Sequence, residues 1–435
     1  MSRKTGRQEV TLVSLYFFWY YKLSQMEPTK THIFPNGLAA VYLQLPSTKV
    51  FTVILLVGVG SRFETLENKG LARFYANFCL QGSEQFQTKN ELEAAMDQLG
   101  LTIRPAVYPE YSLYYFSCTK EKLVPSFELF SSIFFRPALT ADGMSQEKEL
   151  SLSELEISDK NPQFSSISKL NLGMFNNHPI GFDILGVKET VENFTPEVAQ
   201  DFKNKYYVSQ NCLLFISGPD PDFSFSSLDR AVGLVASGQR QKPIPFDFSQ
   251  TKIVQEKVSQ MGRASILTFG FPCYGRDSEK RIGQSLLLNI LYENHTNKRL
   301  KTLRDKKLVT GIKPWIRICS ECGLFLIQAS CLSTKEKEVQ DEIMAQLTQL
   351  STGSITAEEL AIAKSFYGNR FLEKLSNSLE LGFFYSMVYF FNVAEQTPEQ
   401  IMEKVNKTSL EEINQLCQQI IRPDMISWVI VGPGY

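Results

Sequence analysis

Three histidines, His32, His178 and His295, are all that 435 residues offer for imidazole chemistry, and none lies close enough to another to share a helix face. A catalytic zinc site takes three protein ligands, commonly with two histidines at i and i+4 of one helix, so histidines alone do not build one here. His178 stands in the sequence HPIG, which reads as a turn with a locally bonded imidazole. Eight cysteines are scattered along the chain, the pattern of reduced, buried thiols and not of a disulfide scaffold. Cys319 and Cys322 have CxxC spacing, yet no further ligands stand nearby. They fall between the apolar runs 313–319 and 323–330, at the tip of a predicted β-hairpin. Gly-x-Ser-x-Gly elbows and phosphate-binding glycine loops are absent from the sequence. Glu147 and Glu154 are seven residues apart in QEKELSLSELEIS (146–158), so one face of a helix carries both.

The elements that must position these groups come in two copies. TPEVAQDFKNKYYVSQNCLLFISGP (195–219) and SLEEINQLCQQIIRPDMISWVIVGP (409–433) align without a gap at an offset of 214, placing Glu197 on Glu411, Phe202 on Leu416 and Gly218 on Gly432. Each reads as a capped amphipathic helix, a turn, and an apolar strand ending at glycine. TVILLVGV (52–59) and ASILTFGF (264–271) open the two copies as buried-strand runs, and FELFSSIFF (127–135) is a core face. A repeat of this length makes the chain a duplication. Strands and helices are grouped in each half, which predicts an α+β fold of two homologous domains, each a mainly antiparallel sheet with helices packed on it. The expected domains are 26–230 and 251–435, joined by a linker at 231–250 that holds Pro243, Pro245 and SGQRQKP.

Residues 1–25 form a separate leader, in which Arg3, Lys4 and Arg7 precede an apolar aromatic run over 10–21 with no small-residue cleavage site after it. Translation starting at Met26 gives a cytoplasmic protein, and a leader that acts as a signal gives an exported one; the sequence leaves the compartment open. No stretch is long and apolar enough to span a bilayer as a helix. A formal net charge of −1 removes the basic surplus that nucleic-acid binding calls for.

Several segments carry a family resemblance. FPNGLAAVYL (34–43) resembles an opening strand, VGVGSRFETLENKGLARFYANFCLQGS (57–83) a core strand running into a zinc helix, and LEAAMDQLG (92–100) the next helix. HPIGFDILG (178–186), YYVSQNCLLFISG (206–218) and ELAIAKSFYGNRFLEKL (359–375) follow in the same order. Together they resemble the pitrilysin/insulinase metallopeptidases, in the two-domain branch that includes mitochondrial processing peptidase. That family carries an inverted zinc motif, H-x-x-E-H, on a helix, with two histidine ligands and a glutamate as general base.

What the resemblance implies here is a lost site. In GLARFYAN (70–77), Arg73 and Asn77 fall on the histidine positions and Ala76 on the base. A guanidinium has no lone pair to give and repels a cation. An amide oxygen is a poor zinc ligand, and a methyl group accepts no proton. Glu154, with 76 residues between it and Asn77, matches the family's distant ligand, and Glu147 a second acidic position. Arg304 matches a substrate-contacting arginine, but its tyrosine partner seven residues on is replaced by Gly311. The resemblance therefore predicts no bound zinc and no other cofactor, with Arg73 in the vacated metal position as a bidentate partner of Glu154 or Glu147. It implies a catalytically inactive homologue, a non-catalytic subunit of a peptidase dimer whose partner is another chain of the family or a second copy. Unfolded peptides are candidate ligands, held by strand addition. Two further readings are a stand-alone homodimeric peptide-binding scaffold and a zinc endopeptidase with atypical ligands such as Glu147 and Glu154.

Overall fold

The computed structural model describes residues 29–247, 251–293, 299–394 and 397–434. The leader, Met26 and His295 lie outside the described residues.

The first half holds strands β1 (Thr29–Ile33), β2 (Ala39–Gln44), β3 (Phe51–Val57), β4 (Arg104–Val107), β5 (Ser112–Cys118) and β6 (Cys212–Gly218). They form a sheet of order β1-β2-β6-β3-β5-β4. The second half holds β7 (Gln255–Ser259), β8 (Ala264–Tyr274), β9 (Gly311–Ile318), β10 (Cys322–Leu332) and β11 (Ser427–Gly432), in the order β7-β11-β8-β10-β9. With β1 set aside the two orders are the same, and among the described residues the only parallel strand pair in each is the corresponding one, β2 with β6 and β7 with β11. The repeat read from sequence is thus a repeat of topology, and the class is α+β.

The longer helices of the first half are α1 (Leu71–Phe78), α2 (Lys89–Leu99), α3 (Leu123–Phe135), α4 (Ala141–Lys160), α5 (Pro162–Met174) and α6 (Pro196–Tyr206). Those of the second are α7 (Arg281–Leu288), α8 (Glu336–Ser351), α9 (Ala357–Leu375), α10 (Ser378–Phe391), α11 (Pro398–Lys407) and α12 (Leu410–Ile420). The matched helices α6 and α12 start where their caps put them. The Thr195 hydroxyl accepts from the Val198 N–H, and Ser409 closes a capping box with Glu412.

One face of each sheet packs on the helices of its own half. The other face is covered from the opposite half. Leu170 and Met174 of α5 pack against Leu324, Leu326, Val429 and Val431 of the second sheet. Tyr389 and Phe390 of α10 pack against Ile54, Leu56, Leu213 and Phe215 of the first. At the 214-residue offset α5 falls on α10, so the exchange is reciprocal. Burial on both faces explains why the core strands read as unbroken apolar runs instead of alternating ones.

One expectation is corrected, that of the opening strand. FPNGLAAVYL does not open the sheet. β1 lies before it, and Phe34–Leu38 is the connecting turn, closed by the Phe34 N–H on the Leu38 carbonyl (2.9 Å) with Gly37 at φ 90°. The segment expected as the linker, 231–250, is held down over its described residues. Val232 and Val235 belong to the first core. Residues 236–247 have no helix or strand, yet they are pinned at both ends. The Ser209 and Gln210 N–H groups donate to Ala236 and Gly238 carbonyls, at 2.9 and 3.1 Å. Arg240 donates to the Phe390 carbonyl (3.0 Å), and the Phe246 N–H donates to Glu321 (3.2 Å).

The strap crosses a charged junction. Arg62, fully buried, donates to Glu110 at 2.5 Å, to both oxygens of Glu321 across the junction, and to the Ile244 carbonyl of the strap at 3.0 Å. Glu110 also accepts from Arg276 (3.0 Å) and from the Ser320 N–H and hydroxyl, at 3.0 and 3.1 Å. Ser320 and Glu321 are the turn between β9 and β10, the hairpin expected at the CxxC. All eight cysteines are buried free thiols. Among the described residues no helix is long and apolar enough to cross a membrane.

Candidate functional site

The site is built on α1, and its start is fixed with care. Four N–H groups at a helix N-terminus lack partners within the helix. Here Glu64, buried, accepts from two of the N–H groups at this end, those of Gly70 (2.7 Å) and Ala72 (2.8 Å). Burial pushes its carboxyl up to about 8, against the two N–H groups that favour the charged form; Asp183 adds to the rise and Lys69 opposes it. A carboxyl near 4.5 when unfolded and near 8 when folded binds its proton more tightly in the folded state. Its contribution to stability is whole below about pH 4.5 and is lost as the pH rises through 8, by at most about 1.4 kcal/mol per pH unit. The Glu64→Gln variant is expected to lose that slope, read as melting temperature against pH between 5 and 9.

Gly70 and Gly186 lie backbone to backbone, at φ 88° and 77°. A Cβ on Gly186 would stand 2.3 Å from the Lys69 carbonyl oxygen and 2.7 Å from the Gly70 Cα. The Thr190 hydroxyl donates to the same Lys69 carbonyl at 2.7 Å. At the other end of the HPIGFDILG segment, the Ile180 N–H donates to His178 Nδ1 (3.2 Å), a turn contact of the kind expected. The segment is therefore the clamp on the α1 start. Gly186→Ala is expected to cost roughly 3 kcal/mol or more, from backbone clash and a positive φ together. Urea unfolding checks this, and a loss under about 1 kcal/mol would show that the loop yields.

Six of the eight α1 residues are buried, Ala76 among them, and only Arg73 and Asn77 reach the surface seam. Arg73 Nη2 donates to Glu154 Oε1 at 2.9 Å and Oε2 at 3.0 Å. One nitrogen serves both oxygens, where a bidentate pair would use two. With Arg73 27% and Glu154 45% exposed, the pair is solvated and its contribution to stability small. Glu147 takes a different partner. It is buried and accepts from Gln81 Nε2 (3.0 Å) and the Ser151 hydroxyl (3.2 Å). Burial raises its pKa, opposed by hydrogen bonds from Gln81, Asn77 and Ser151 and by the Arg73 charge. The structure thus joins Arg73 to Glu154, and Gln81 and Ser151 to Glu147.

Zinc does not fit these residues. Where a tetrahedral site needs three protein ligands, α1 offers a guanidinium, a methyl and an amide. Among the described residues no three His, Cys, Asp or Glu side chains converge as a metal-binding group. Arg304 lies apart, in the single turn Lys301–Asp305, and donates to the Tyr292 hydroxyl at 2.5 Å while its guanidinium sits 5.2 Å from that ring centre. So Arg304 has a tyrosine, but one twelve residues before it. Sequence reading missed Tyr292, Gln81 and Glu64. Of these only Gln81 left a signal, standing four residues after Asn77 on the same helical line.

The fold and site define a duplicated two-domain α+β protein with an acidic helix, α4, set against a short buried helix, α1. The model of the family described as Insulinase (Peptidase family M16) matches residues 39–188, and that described as Peptidase M16 inactive domain matches 193–367. The chain belongs to this insulinase, or M16, peptidase family. A protein of Rickettsia felis named as an uncharacterized zinc protease is 24% identical, over 92% of this chain and 96% of its own. The mitochondrial-processing peptidase subunit beta of Saccharomyces cerevisiae is 20% identical, over 93% of this chain and 88% of its own. A protease from Helicobacter pylori has the same fold, with a TM-score of 0.85 at 18% identity, over 93% of this chain and 99% of its own.

Proposed function

We propose that this chain is a catalytically inactive M16 homologue that serves as a non-catalytic subunit of a peptidase dimer. The observation that carries the reading is the Arg73–Glu154 pair beside the buried Ala76 methyl. A fixed cation holds the carboxylate that a metal would need, and no group on α1 can take a proton from water. The yeast relative is named as a subunit, which supports a role within an assembly. The test has two parts. Metal analysis of the purified chain is expected to find no stoichiometric zinc, and chelator to leave its melting temperature unchanged. Mild capture from native cells is expected to recover a second M16 chain with an intact H-x-x-E-H helix. Stoichiometric zinc with peptide hydrolysis would sink the proposal.

One observation favours a second reading. β4, next to α1, is the last strand of its sheet and has one edge unpaired by another strand of the sheet. Such an edge holds an extended peptide through main-chain hydrogen bonds without metal, as a homodimeric peptide-binding scaffold would. Capture of the chain with itself alone selects this reading.

A further inference from the structure

The hairpin turn that meets the charged junction is bracketed by two thiols. Cys319 follows β9 and Cys322 begins β10, and the Cys319 N–H donates to the Cys322 carbonyl at 2.8 Å. Opposite residues joined in this way have Cα atoms about 5.5 Å apart and side chains on one face, inside the span of about 4.4–6.8 Å that a disulfide bridges. Both side chains belong to one apolar cluster, with Leu170, Phe175, Phe246 and Leu324. The two residues they enclose are Ser320, which donates to Glu110, and Glu321, which accepts from Arg62. Cys319 and Cys322 are 3% and 1% exposed, but the turn they flank reaches the surface at Glu321.

The surroundings of Cys319 hold donors with nothing to bond. Arg317 Nη2 donates to the Ile180 carbonyl at 2.6 Å, while its Nη1 is buried and has no partner among the described residues. Arg62 Nε is buried and unpartnered in the same way. Arg317 stands two residues before Cys319, and its register partner Leu324 is in the same cluster as the two thiols, so guanidinium and sulfur share a face. A buried donor without an acceptor is costly and calls for a reason. A neutral thiol accepts weakly; a thiolate at Cys319, or the oxygen of an oxidised Cys319, supplies a full acceptor. Burial pushes the Cys319 thiol up to about 11; Arg317, Arg62 and Arg276 pull it back, and Glu110 opposes them. Burial raises the Cys322 thiol further. Of the two, Cys319 therefore forms a thiolate more readily, and the thiolate is the nucleophile.

We propose that Cys319 and Cys322 are a peroxide-reactive pair that closes reversibly to a disulfide, with Arg317 as the positioning residue that steadies the charge on the Cys319 sulfur. Cys319 loses its proton, and its sulfur attacks one oxygen of hydrogen peroxide. The O–O bond breaks, the departing hydroxide takes up a proton as water, and Cys319 becomes a sulfenic acid. The Cys322 sulfur gives up its proton and displaces the sulfenic oxygen as a second water, forming the S–S bond. Two thiols lose two electrons and two protons, and one peroxide becomes two waters. No step involves α1, so the pair stands apart from the subunit reading.

The test is mass spectrometry of the folded full chain after brief exposure to hydrogen peroxide, with dimedone present to capture sulfenic acid. The peptide holding both residues is expected to lose two hydrogens and to regain them with dithiothreitol. Cys322→Ala is expected to stop at the dimedone adduct of Cys319. Arg317→Gln is expected to slow the reaction by about tenfold or more, and Arg317→Lys, which keeps the charge, to recover part of the rate. The other six thiols, all buried, are the internal control for folding and are expected to stay reduced in every sample. A folded chain whose eight thiols all resist peroxide overturns the proposal. So does one in which Cys319 and Cys322 react no faster than the other six, or at a rate indifferent to Arg317.

Discussion

The double variant Arg73→His/Asn77→His is expected to take up about one zinc ion per chain, where the unaltered chain is expected to take up none. Positions 73 and 77 are one helical turn apart on the seam of α1 that faces α4. The Glu154 carboxylate already lies within 3.0 Å of the side chain at 73, so the third ligand is in place. What holds α1 there is free of metal: Glu64 on its first N–H groups and the Gly70–Gly186 backbone contact. Two imidazoles and a carboxylate meet the three-ligand requirement. Metal analysis after dialysis measures the uptake. Zinc at a hundredfold excess over its dissociation constant is expected to add about 2.7 kcal/mol to stability, reversed by chelator. A double variant that folds but holds no zinc would mean that α1 and α4 have drifted from ligating geometry, and that more was lost than two side chains.

Arg62→Ala gives the second large effect, a loss of roughly 3–5 kcal/mol, the usual outcome of removing one partner from a buried ion cluster. Glu110, 4% exposed, keeps Arg276 and Ser320, but Glu321 loses its cation and the Ile244 carbonyl its donor. Arg62→Lys is expected to recover only part of this, because an ammonium cannot bridge two carboxylates and a carbonyl as a planar fork does. Denaturant unfolding followed by tryptophan fluorescence and by circular dichroism will read both the loss and its spread. In the wild-type chain the two probes should coincide. In the alanine variant they are expected to separate as the halves unfold at different concentrations. A loss below about 1 kcal/mol would assign the junction's strength to the exchanged helices instead.

Much of the architecture was legible in the sequence because it is written twice. The 214-residue offset, the Thr195 and Ser409 caps and the Gly-Pro strand ends each gave an element its place. The turn at Phe34–Leu38 was absorbed into a strand because its only mark is Pro-Asn-Gly at the end of a short apolar run. How the strap is pinned was not legible because its anchors are remote: Arg62 is 182 residues from Ile244, and Glu321 is 75 from Phe246. Composition reports the stiffness of a free chain and says nothing of distant side chains that pin it. At the site, the residue types on α1 and α4 were plain, but their partition was not. That Arg73 takes Glu154 while Gln81 and Ser151 take Glu147 follows from burial, since the buried carboxylate is met by neutral donors and the half-exposed one by the charge.

The reciprocal exchange of α5 and α10 bears on how the chain is made. Synthesis runs from the N-terminus, and β3 and β6 are complete by residue 218. The helix that covers their outer face ends at Phe391, more than a hundred and seventy residues later. Throughout that interval the nascent first half carries a bare apolar sheet face, the kind of surface that chaperones bind and that misassembles when crowded. The late arrival of one helix thus makes the first half a dependent of the second on the ribosome. Ribosomes stalled before α10 should display a client for holdases, and ribosomes stalled beyond it a folded protein.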